Sequence, residues 1–224
     1  MNNNVVIIVT QNKNIGLLYN NDEPLMGGYM NNRYTKVAII LHWLIALGIF
    51  GMLALGWFMT DLPREAPKQL SYDLFNWGIY TWQLTEEASP RNFYFNLHKS
   101  LGITLLALII MRIVWRVGHK PPAPLASHKP WEVKLATGTH HFLYLLLIAI
   151  PASGLIMSIA SKYGVKWFGL DFIAGIDSKP LREIFHEVHE IAGLVLVFLL
   201  ILHIAGALKH KFIDKDETVK RMLL

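Results

Sequence analysis

Cysteine is absent from the 224 residues. That excludes disulfides, cysteine-ligated iron–sulfur clusters and thioether attachment of a cofactor, and leaves His and Met as the only nitrogen or sulfur ligands for any metal centre. Charge is scarce as well. Asp, Glu, Lys and Arg make up 17% of the chain against 53% hydrophobic residues, with a mean hydropathy of +0.35, which is too apolar and too unevenly apolar for an ordinary soluble domain. The formal net charge is +5 and the pI about 9.3, yet the basic residues sit at the ends of apolar segments instead of forming one stripe. Membrane topology accounts for that pattern, and a nucleic-acid partner is excluded. No internal repeat is present, and no low-complexity tract beyond an Asn-rich start. Residues 1–29 offer only the apolar run Val5 to Val9, too short for a signal-peptide core or a membrane span. They are expected to form an extension peripheral to a single domain over residues 30–224.

Four stretches are long and apolar enough to cross a hydrocarbon core of roughly 30 Å: residues 37–59, 97–117, 139–160 and 188–208. The first carries no formal charge. The second has Lys99 at its start and Arg112 and Arg116 toward its end, where long cationic side chains can snorkel to the interface. The third contains Pro151, which a membrane helix tolerates. Residues 60–94, with Trp77 and Trp82, read as an interfacial loop, 118–134 as a Pro-rich basic connection unable to continue a helix, and 161–187 as a second loop. The expected fold class is therefore all-α, an integral four-helix bundle in a lipid bilayer. Segments 33–36, 112–134 and 209–224 hold 12 Lys and Arg in 43 residues, against 8 in 67 for 60–99 and 161–187. The denser side is cytoplasmic, which puts both termini inside and both long loops outside.

The last span is read as HEIAGLVLVFLLILH, with His189 and His203 fourteen residues apart. Fourteen residues are nearly four helical turns, so both imidazoles leave the same face, about 21 Å apart along the axis. Ionisable side chains within a span are costly enough to signal function, and neutral imidazole is a common metal ligand. Counting depth from each membrane face pairs His42 with His203 on the inner side and His98 with His189 on the outer side. Small residues accompany them: Ala46 four after His42, Gly102 four after His98, Gly193 four after His189 and Gly206 three after His203. Gaps on the ligand-bearing faces suit a flat macrocycle better than a bare ion, although small residues also mediate helix contacts in membranes. Gly56, fourteen after His42, reads as clearance for an outer haem. Arg112, fourteen after His98, reads as a partner for an inner-haem propionate, with snorkelling to lipid phosphate as the alternative. His186 competes with His189 for the outer site, and His140 and His141 with His42 for the inner one.

Several segments together resemble the prokaryotic cytochrome b561 family of four-helix, di-haem membrane cytochromes. They are LHW around His42, LHKSLG around His98, RIVWR with Arg112 and Arg116, HEVHEIAG around His189, LHIAGALKH around His203 and the tail KFIDKDETVKRM. The resemblance covers about residues 32–222. It implies that His42, His98, His189 and His203 ligate the iron of two b-type haems per chain, in a multi-pass protein of the bacterial cytoplasmic (inner) membrane. It implies respiratory electron transfer between an outer donor, superoxide in some members, and membrane ubiquinone. A docked redox protein such as a hydrogenase is the alternative partner. The residues by themselves also admit a divalent-metal transporter, which would call for carboxylates where Gly and Ala stand. The outer-loop cations Arg91, Lys162, Lys166, Lys179 and Arg182 could focus an anion, but acids are interleaved with them.

Overall fold

The computed structural model describes residues 6–9, 15–18, 33–74 and 77–224. Of residues 1–29, only the antiparallel strands β1 (Val6–Val9) and β2 (Ile15–Leu18) are described, and the rest of that extension lies outside the described residues. Four helices follow: α1 (Lys36–Asp61), α2 (Pro90–Gly118), α3 (Pro130–Ile159) and α4 (Lys179–Leu208). All four are long and apolar enough to cross a membrane. The closest packing is between sequence neighbours, α1 with α2, α2 with α3 and α3 with α4. The mid-bundle core is built from Ile45, Ile49, Ile109, Leu143, Leu146 and Leu196. Large side chains such as Leu47, Val114, Leu145 and Phe198 stay exposed on the outside, the arrangement expected where lipid is the solvent.

Three helices begin earlier than the apolar runs suggest. Pro90 and Pro130 occupy the first turns of α2 and α3, and Pro180 the first turn of α4. Proline lacks only an N–H that a first turn cannot use, and its fixed φ suits the helix start. Residues 130–134, expected in a connection that breaks the helix, are therefore helical; Glu132 accepts from the Lys129 N–H at 2.9 Å, which satisfies the amide at the helix start. At the start of α2 the Ser89 side chain accepts from the Asn92 N–H at 3.3 Å.

The bundle is mostly helical but not purely so. Strands β3 (Gln69–Asp73) and β4 (Thr81–Ala88) form a bulged antiparallel hairpin, and β5 (Val165–Trp167) pairs with β6 (Leu170–Ile173). Both lie in the loops that join α1 to α2 and α3 to α4, hence on the face opposite the C-terminus; we call this the hairpin face, and the other the termini face. Tyr72 of β3 stacks on Phe93 of α2 with centroids 4.4 Å apart, and its hydroxyl donates to the Ala88 carbonyl. The second hairpin is tied down by buried Ser100, whose hydroxyl accepts from the Phe168 N–H at 2.9 Å. Arg91 closes the end of α1 by donating to the carbonyls of Thr60 and Leu62 at 2.9 and 2.8 Å.

On the termini face α4 runs directly into a π-helical turn, Lys209–Asp214. The tail then crosses beneath the bundle. Trp43 donates to the Met222 carbonyl at 2.8 Å, and Arg221 to the Ala123 carbonyl at 2.7 Å. Burial opposes ionisation of Asp216, but hydrogen bonds from Thr218, His128 and His210 outweigh it and hold its carboxyl down at about 2.

Candidate functional site: two facing histidine pairs

The depth-matched histidines face one another. His42 of α1 and His203 of α4 have ring centroids 6.2 Å apart with planes crossed at 67°, toward the termini face. His98 of α2 and His189 of α4 are 6.4 Å apart at 75°, toward the hairpin face. A metal–imidazole bond of about 2.0–2.1 Å, with about 1.1 Å from nitrogen to ring centre, puts two imidazoles on opposite sides of one metal about 6.2–6.4 Å apart. Both pairs match that spacing. His140 lies 5.3 Å from His203, closer than two rings on opposite sides of one metal can be. His186, the competitor for the other pair, is exposed and has its ring nitrogen 3.9 Å from Glu190 one turn along.

Each ring is held differently. The Nδ1 of His189 lies 2.8 Å from the Ile150 carbonyl oxygen and 3.2 Å from the Ser153 hydroxyl. A carbonyl only accepts, so Nδ1 carries the proton and Nε2 keeps its lone pair free. An imidazole oriented in this way through its second nitrogen is the usual state of a metal-ligating histidine. The Nδ1 of His98 is buried and has no hydrogen-bond partner among the described residues, and a buried polar atom so placed calls for a ligand or a cost.

The flanking small residues take up distinct positions. A Cβ on Gly56 would lie 3.7 Å from the His98 ring, so Gly56 abuts that imidazole at the depth of the hairpin-face pair. A Cβ on Gly102 would meet Met52 at an ordinary 3.5 Å, and one on Gly193 or Gly206 would meet nothing within 4 Å. Between α1 and α4 lies an apolar cavity of about 350 Å³, lined by Phe50, Leu53, Ala54 and Trp57 and by Leu200 and Ile204. A second cavity of about 230 Å³ opens on the termini face, where Arg33, Arg112, Arg116 and Lys120 converge with Tyr34 and Tyr144. Arg112 donates to the Ala38 carbonyl at 2.9 Å, four residues before His42, and lines that cavity.

Residues 33–224 match the family described as prokaryotic cytochrome b561. The chain belongs to this family. Cytochrome b561 homolog 2 of Escherichia coli (strain K12) is 37% identical over 193 residues, which span 85% of this chain and 91% of the relative. Cytochrome b561 homolog 1 of the same organism is 28% identical over 199 residues, 86% of this chain and 97% of the relative. A protein of Yersinia pestis named probable superoxide oxidase CybB is 27% identical over 197 residues, 87% of this chain and 97% of the relative. Membership makes the chain a multi-pass bacterial membrane protein of electron transfer, within a family of b-type cytochromes.

For a prokaryotic cytochrome b561 chain, the sequence reading missed one part of the site. The Ile150, Ser153 and Gly154 turn of α3 forms the cradle of His189: a Cβ on Gly154 would lie 3.0 Å from Cε1 and 3.1 Å from Nδ1 of that ring. Pro151 removes one amide donor from the same turn. The signal was present as a run of three small residues, Ala152, Ser153 and Gly154, directly after Pro151 in a largely bulky apolar span. Three of the five hairpin-face cations have polar partners. Arg91 caps α1, Lys166 lies 3.4 Å from Asp171, and Lys179 lies 3.7 Å from Glu183.

Proposed function

We propose that the chain holds two b-type haems, one between His42 and His203 and one between His98 and His189, and carries electrons across the membrane between an outside donor and membrane ubiquinone. The observation that carries this reading is the spacing of the two imidazole pairs, 6.2 and 6.4 Å between centroids, at two depths on one helix. When bound, the two haems supply reversible one-electron chemistry at two depths. The protein's residues do the rest. His42 with His203 and His98 with His189 would hold the two groups, and two imidazoles to each iron would leave no ligand position open to oxygen. Ile150 and Ser153 fix the tautomer and orientation of His189, and Gly154 leaves the room that this orientation needs. Gly193 and Gly206 keep α4 open where a ring would lie. Arg112, in the cationic cavity beside Ala38, is positioned to receive a propionate of the termini-face haem. Lys166 and Lys179 are paired with Asp171 and Glu183, and acids are interleaved with the remaining cations, so steering of superoxide by these loop charges would be weak.

Ubiquinone is supported by the family resemblance, and superoxide by that resemblance and by the name of the Yersinia pestis relative. Enzymatically generated superoxide should reduce the oxidised chromophore, dismutase should abolish that reduction, and a soluble ubiquinone analogue should reoxidise it. A spectrum unmoved by superoxide but reoxidised by quinone would transfer the donor role to a docked redox protein.

A further inference from the structure

Outside the two pairs, three metal-ligating side chains from separate segments meet on the termini face: His128 of the α2–α3 connection, His210 of the π-helical turn and Asp216 of the tail. Their ligand atoms all lie within 4.8 Å of one another. Asp216 Oδ2 is 3.1 Å from His128 Nε2 and 2.9 Å from His210 Nδ1. The edge of a tetrahedron around zinc, with bonds of about 2.0–2.1 Å, measures about 3.3 Å, so small outward shifts would admit the ion. The three side chains are 12–16% exposed, which sets them apart from ordinary solvated surface residues. Local structure aims them. The wide π turn presents His210 toward the connection, and Lys215, at φ +54°, turns the chain so that Asp216 faces back. The other Asp216 oxygen accepts from the Thr218 N–H at 2.8 Å, which fixes the carboxylate plane. Asp214 stands beside the cluster, its Oδ2 3.0 Å from His210 Nδ1, but that oxygen is held at 2.6 Å by Lys209 and it is not one of the three converging ligands.

We propose that His128, His210 and Asp216 form a binding site for a divalent cation of the zinc class, and that the ion staples the C-terminal tail to the α2–α3 connection. Two imidazoles and a carboxylate, with a water in the fourth position, form a donor set that suits zinc and not magnesium or calcium. The site stands apart from the haem reading. His210 is seven residues beyond His203, about 10.5 Å along a helix, and the ligands share no atom with the facing pairs.

The test uses the purified full-length chain in detergent, stripped with a chelator and dialysed against zinc. We expect one zinc per chain with micromolar or tighter affinity, weakened at least thirtyfold in both His210→Ala and Asp216→Ala and unchanged in His119→Ala, an exposed histidine on the same face. Zinc should also slow tryptic cleavage after Lys220 and Arg221 about tenfold in the wild type and not in Asp216→Ala. Circular dichroism checks that the variants keep their helices. Zinc-edge X-ray absorption of the wild type provides a readout that does not depend on any variant folding, and should show two imidazoles with one or two oxygens. Absence of binding below millimolar zinc, binding lost in His119→Ala but kept in His210→Ala, or an absorption spectrum without two imidazoles would each overturn the proposal.

Discussion

Gly154→Ala is a one-methyl change that reaches the proposed hairpin-face haem without replacing a ligand. The added methyl would stand 3.0 Å from Cε1 and 3.1 Å from Nδ1 of His189, where ordinary contact begins at 3.4 Å. Something must yield by about 0.3–0.4 Å in a close-packed site. Backbone-bound α3 is the stiffer partner, so the imidazole moves. Its 2.8 Å bond to Ile150 then stretches toward roughly 3.2 Å, the outer end of good N–H···O geometry. Losing the group that orients a metal-ligating histidine typically costs about 10–100-fold in affinity, or roughly 1.4–2.7 kcal/mol. Global stability is a poor readout, because Gly→Ala inside a helix gains about 0.8–1 kcal/mol in propensity. The assay is therefore haem content per chain and a redox titration of the visible spectrum, resolved into two components. One component should fall in occupancy or shift in potential while the other stays as in the wild type. Two haems at wild-type occupancy and unchanged potentials would refute the cradle assigned to Ile150, Ser153 and Gly154.

A histidine panel separates ligands from neighbours. His189→Ala should lose one haem and keep the other, whereas His186→Ala, whose ring is exposed beside Glu190, should keep both; His140→Ala should also keep both, because its 5.3 Å approach to His203 does not fit two rings across one metal. A haem count that falls in His186→Ala and not in His189→Ala would reverse the assignment. The density of Lys and Arg on the termini face predicts that this face is cytoplasmic. A fusion at Leu224 should then be active with a cytoplasmic reporter and inactive with periplasmic phosphatase, and the opposite pattern would exchange the two sides.

The histidine pairing was legible in the sequence because helical geometry leaves little freedom. Fourteen residues return a side chain to one face, and antiparallel spans convert position in the chain into depth. His42 with His203 and His98 with His189 followed from that arithmetic, and the structure brings both pairs face to face. Helix starts were harder to read, since apolar runs mark the hydrocarbon and not the helix. Pro130 lies in the connection read as unable to continue a helix, yet it begins α3, and Pro90 and Pro180 likewise stand in the first turns of α2 and α4. The hairpin between α1 and α2 was missed because its strands, Gln69–Asp73 and Thr81–Ala88, carry a mixed pattern and are positioned by packing on α2 through Tyr72 and Phe93. The Gly154 contact with His189 spans 35 residues of sequence and the His128 contact with Asp216 spans 88, and neither lies on a spacing that one helix alone would reveal.

The central claim is that two imidazole pairs hold two haems, and the most direct measurement is the haem-to-chain ratio. Pyridine haemochrome assay of the purified full-length chain, set against amino-acid analysis, should give two b-type haems per chain, both removed by acid-acetone because no cysteine can retain them. A ratio of one, or haem that stays with the protein through extraction, would contradict the account.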